Sequence, residues 1–147
     1  MQFMGIRKHG VLGLALVLLT ALASLAKDGR DFAGSYTLTK VTEQNNEVKL
    51  TLTVQVFNNS DADIRQASLV LHQSGPGMAV HGAFPPVKLF RDHTDVLLSQ
   101  EFTVPSVEYH RWQNGMEPRL MVHFTGANGI EQRRTIQLAR RPMLPTP

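Results

Sequence analysis

Residues 110–124 read HRWQNGMEPRLMVHF. His110, Met116, Met121 and His123 place two imidazoles and two thioethers in this stretch, beside the only tryptophan, Trp112. Imidazole binds copper in either oxidation state, and thioether favours the cuprous ion. On a strand, Met121 and His123 point the same way, ~7 Å apart along the chain. One ion between them, with His110 and Met116 folding back from the preceding loop, makes a soft-metal site. The competing reading is structural. Leu120, Val122 and Phe124 alternate with Arg119, Met121 and His123, so the apolar set forms a core face and leaves Met121 and His123 on the solvent face. Trp112 then reads as a plug at one end of the fold, because a buried indole contributes a large apolar area.

Other stretches offer chemistry with less support. In FRDHTD, 90–95, Asp92, His93 and Asp95 could hold a divalent ion or pair an acid with a base. The segment lies where a turn should lead into a strand, and Asp and Thr there bond to nearby backbone. HQSGPG, 72–77, sets His72 near Ser74. A hydrolase elbow needs G-x-S-x-G on a strand–turn–helix, and that pattern is absent. No P-loop, dinucleotide glycine pattern or HExxH occurs. Asn58–Ser60, NNS, has the form of a glycan acceptor and reads as a turn.

The elements that must position these residues are strands. Val48, Leu50, Leu52, Val54 and Val56 alternate with polar residues, a half-buried strand. Ala67, Leu69 and Leu71 continue the pattern after a turn at 58–63. Val96, Leu98, Gln100, Phe102 and Val104 share one face of a further strand, which Pro105 ends. Residues 35–43 supply the first strand, and 130–139 the last, with Ile136 and Leu138 inward. Two long connections remain. SGPGMAVHGAFPP, 74–86, reads as loop because of its glycines and prolines, with a short edge piece at 87–91. The other runs from Pro105 to Pro118. No comparable window has a helical apolar period. The expectation is an all-β chain: one antiparallel, immunoglobulin-like β-sandwich of about seven strands over residues 35–139, with a flexible tail at 140–147.

The N-terminus has a different character. Arg7 and Lys8 precede an apolar run, Val11–Leu25, that ends in small residues at Ser24 and Ala26. This is the pattern of a secretory signal cleaved after Ala26, with 27–34 as a linker. The run is shorter than the ~20 residues a membrane anchor needs, so no stable membrane span is expected after cleavage. The chain carries 15 Lys and Arg against 12 Asp and Glu. Losing Arg7 and Lys8 leaves 13 against 12, a net charge of +1, which gives little reason to expect a nucleic-acid partner. There is no cysteine, so a bacterial lipoprotein anchor and thiol chemistry are both excluded. Stability must come from packing alone.

VQVFNNSDADIRQASLVL, 54–71, resembles a hairpin of extracytoplasmic immunoglobulin-like modules, including fibronectin III, bacterial adhesion-type and adaptin-appendage sandwiches. That resemblance implies a binding or structural module and carries no site residues. Met and His on a β-sandwich also resemble cupredoxin-like periplasmic copper carriers, whose ligand spacing is not present here. The reading is therefore an exported, non-catalytic interaction or accessory module, periplasmic or extracellular, with another protein as partner and no cofactor. The alternative is a copper carrier using His110, Met116, Met121 and His123. Two partner surfaces stand out: the apolar loop around Met78, Val80 and Phe84, and the last strand with Arg133 and Arg134, a candidate edge.

Overall fold

The computed structural model describes residues 31–77, 79–126 and 128–141. They form nine strands and one short helix. β1 (Phe32–Gln44) and β2 (Glu47–Asn58) make a long hairpin. Its two-residue turn is Asn45-Asn46, both with positive φ (53° and 62°), a conformation that asparagine tolerates better than most residues. β3 (Ile64–His72) follows the turn at 58–63. β4 (Val80–Ala83) and β5 (Val87–Phe90) are short. β6 (Asp95–Pro105) leads into α1 (Ser106–Gln113), and then β7 (Arg119–Thr125), β8 (Glu131–Gln137) and β9 (Ala139–Arg140) complete the chain.

The strands form two sheets. One has the order β6-β2-β1-β9, the other β4-β3-β7-β8, with β5 also pairing β3. Pairing is antiparallel except between β1 and β9. The alternating residues explain the layering. Val48, Leu50, Leu52, Val54 and Val56 from one sheet meet Ala67, Leu69, Leu71, Leu120 and Val122 from the other, all fully buried. Burying so many aliphatic side chains, at ~25 cal/mol per Å² of apolar surface, supplies the cohesion that disulfides give other small domains.

Several details differ from the sequence reading. The strand count is nine rather than about seven: β5 is the expected edge piece at 87–91, but β4 arises inside the segment read as loop and β9 follows β8. The 105–118 connection contains α1, too short and too polar to show an apolar stripe. The expected linker 27–34 is shortened: β1 begins at Phe32, whose ring packs on Phe90 and Phe124. The tail expected from residue 140 is held at its start, since Arg140 belongs to β9 and Arg141 N–H donates to the Tyr36 carbonyl at 2.8 Å. The signal segment, 1–26, lies outside the described residues. Among the described residues no helix is long and apolar enough to cross a membrane.

One side of the sandwich is closed by the chain itself. After β8 the chain crosses at Leu138 from one sheet to the other and becomes β9. Gly34 on β1 allows this closure: a Cβ there would stand 2.7 Å from Leu138 Cδ2. The opposite side carries β6 in one sheet and β4 and β5 in the other.

Candidate functional site

Pro105 ends β6 and starts α1. Its φ of −57° suits a helix start, and it needs no backbone hydrogen bond that its missing N–H would have made. Glu108 and Trp112 follow, four residues apart and therefore on one helix face. Both are buried. Glu108 Oε1 accepts the Trp112 indole N–H at 2.8 Å and the Ser74 backbone N–H at 2.5 Å. His81 on β4 brings Nε2 within 3.7 Å of the same oxygen, and its ring meets Trp112 edge-on. Arg111 Nη1 lies 3.5 Å from Oε2. One carboxylate thus ties the helix to the loop after β3 and to β4. Burial alone would raise the Glu108 pKa, but the Ser74 and Trp112 hydrogen bonds and His81 outweigh it and hold the carboxyl below the ordinary range. Burial pushes His81 down, against the attraction of Glu108.

Ser74 is 1% exposed, and its backbone N–H donates to Glu108. The arrangement clasps a loop. Sequence reasoning missed it because Glu108 looked like one more polar residue of a connection; the available signal was the E-x-x-x-W spacing just after a proline.

The four residues of the copper reading have different neighbours. His110 sits on α1 with Nε2 3.2 Å from Glu43 Oε1. Met116 follows the helix, its Cε near Gly75. Met121 and His123 share the outer face of β7, with His123 Nδ1 3.7 Å from Glu131. Among the described residues no group of three or more His, Asp or Glu side chains is placed to hold a metal ion. In the 90–95 stretch, Thr94 Oγ1 donates to the Arg91 carbonyl, Asp92 N–H donates to Asp63, and His93 faces Asp61 at 3.5 Å, which makes a turn. Asn58 is fully buried. Its amide donates to the carbonyls of Ala62, Phe90 and Arg91, and its oxygen accepts from Ser60. A glycan has no access there.

The expected contact loop changes its membership. Phe84 is 3% exposed and packs on Phe102 with ring centroids 5.1 Å apart, so it belongs to the core and not to a contact surface. The alternation of the short β4 strand turns Val80 outward at 57% exposure. Met78 lies outside the described residues. Arg133 and Arg134 do stand on an edge strand, β8. Arg134, however, lies over the Phe124 ring and bonds Gln132 and the Arg133 carbonyl.

The sheet edges now compare directly. Edges expose unpaired N–H and C=O groups, and proteins blunt them with charge, proline or interruption. β8 carries Glu131, Arg133 and the half-buried Arg134. The β4–β5 edge is broken by Pro85-Pro86, which have no N–H to offer. β6 carries two acids, Asp95 at its start and Glu101 paired with Lys49, and no proline before its terminal Pro105. It pairs β2 over 11 consecutive residues without a register shift and contains no Lys or Arg. Leu97, near its start, is 70% exposed, with the partly exposed Phe57 diagonally beside it on the same face.

No family model matches the chain, and no curated relative does either. Among solved structures, the chain is similar to part of a GH20 exo-β-N-acetylglucosaminidase from Vibrio harveyi, with a TM-score of 0.46 and 15% identity. The match covers 79% of this chain, which spans about a fifth of the glycosidase, 19%. A structural-genomics target matches over 81% of this chain and 94% of its own, with a TM-score of 0.44 and 8% identity. The N-terminal domain of PorA matches over 75% and 97%, with a TM-score of 0.34 and 14% identity.

Proposed function

We propose that this chain is an exported, non-catalytic immunoglobulin-like module that binds an extended segment of another protein by adding it as a strand to β6. The observation that carries the reading is the contrast between edges: β8 carries Arg133 and Arg134, β4–β5 is broken by prolines, and β6 is long and regular, with Asp95 and Glu101 but no Lys or Arg. Strand addition takes its affinity from main-chain hydrogen bonds and its specificity from alternate side chains. Leu97 and Phe57 would favour an apolar residue on the partner strand at that level. The secretory pattern at Arg7, Lys8 and Val11–Leu25 supports a place in the periplasm or outside the cell.

The test is retention of the partner by affinity-tagged protein purified from its own extracytoplasmic compartment. Leu97→Lys puts an edge charge at the docking point and should lower retention at least tenfold, about 1.4 kcal/mol. Arg133→Ala on β8 should leave it unchanged. The reverse pattern would move the interface to β8 and sink the β6 reading.

A further inference from the structure

The outer face of the β3-β7-β8 sheet contains a cavity of about 140 Å³, lined by His72, Arg119, Leu120, Met121 and Thr135. The strand registers explain why these residues meet. His72 stands opposite Arg119, and Met121 stands opposite Thr135. Arg119 is half-buried, and its guanidinium is fixed by the loop after β3: Nε donates to the Gln73 carbonyl at 3.3 Å, and Nη2 to the Gly77 carbonyl at 2.6 Å. Both partners are neutral. Among the described residues no carboxylate pairs with Arg119. Two acids close to it in the chain are committed elsewhere, Glu117 to the Tyr36 hydroxyl and Glu108 to Ser74 and Trp112.

A guanidinium held in place, partly out of water and lacking a counter-charge, is a preorganised receptor for a planar anion. Thr135 adds a hydroxyl, and His72 adds an imidazole that strengthens the attraction when protonated. Met121 makes the wall apolar, while Leu120 borders the cavity with its side chain turned into the core. A water takes ~30 Å³ of liquid, so the cavity has room for about five heavy atoms.

We propose that this cavity binds a small organic carboxylate of about two to four carbons, the carboxylate on Arg119 and Thr135 and the short tail against Met121. This site is separate from the β6 edge and does not depend on strand addition there.

The test is a titration of the full chain with propionate, followed by amide chemical shifts. Saturable shifts confined to the neighbourhood of His72, Arg119–Met121 and Thr135 are expected, with propionamide at least tenfold weaker because it lacks the charge. Arg119→Gln should abolish binding. Because that change also loosens the 73–77 loop, Thr135→Phe provides the second variant: it fills the cavity from an exposed strand position and should abolish binding with the rest of the spectrum intact. Absence of saturable shifts in the native chain would overturn the proposal. So would equal binding of propionamide, or binding that survives Thr135→Phe. Inorganic phosphate binding as tightly as propionate would overturn the assignment to an organic acid.

Discussion

Glu108 and Asn58 show how single polar residues organise loops when they are buried. Each satisfies several backbone groups, so removing one leaves donors or acceptors stranded in a dry environment. Glu108→Ala strands the Trp112 indole and the Ser74 amide and should cost about 2–4 kcal/mol, read as a lower denaturant midpoint with an unchanged slope. Asn58→Ala should cost about 2–3 kcal/mol by the same reasoning, while an aspartate there cannot donate to the three carbonyls and should rescue little. The clasp also sets a pH dependence. His81 is held below its ordinary value of 6.5 and Glu108 below 4.5. A group held low in the fold takes up its proton more readily in the unfolded chain, so acid favours unfolding. Around the pair stand Arg111 from α1, His72 from β3 and the Ser74 amide. Thermal stability should be flat from pH 7 to about 9, fall as the pH drops through 6.5, and fall further below 4.5. His81→Gln should remove the first decline and leave the second; an unchanged profile would contradict the assignment.

At the scale of elements, the strongest constraints lie where strands from different sheets pass closely. Gly82 on β4 has a φ of +150°, and a Cβ there would meet Phe102 of β6 at 2.9 Å. Gly82→Ala should destabilise by about 1–3 kcal/mol and shift the Phe84–Phe102 ring pair, visible in aromatic proton shifts. The core strands were legible in the sequence because Val48–Val56, Ala67–Leu71 and Leu120–Phe124 repeat at the two-residue period of a half-buried strand. The elements that escaped had no such signal. β4 is four residues set among glycines and prolines and gains its order from pairing with β3, beside the expected edge piece that became β5. α1 spans two turns between two prolines and buries only Glu108 and Trp112, with Tyr109 packed partly against the core. Phe84 looked like an exposed loop residue because its burial depends on Phe102, eighteen positions later. The candidate edge was read from arginines on β8. The more open edge, β6, could not be recognised until strand order was known, since an edge is a property of neighbours.

The whole molecule combines a self-closed seam, where β8 crosses into β9, with an opposite side that leaves β6 bare. That asymmetry distinguishes this sandwich. If the N-terminal segment directs export, the protein recovered from its compartment should begin at Lys27, which N-terminal sequencing or intact mass would show; a start at Met1 would remove the exported reading. The central claim is strand addition at β6, and site-specific photo-crosslinking in living cells tests it most directly. A crosslinking side chain placed at Leu97 should yield one discrete adduct with another protein, while the same group at Arg133 should yield none. Adducts at 133 with none at 97 would contradict the account.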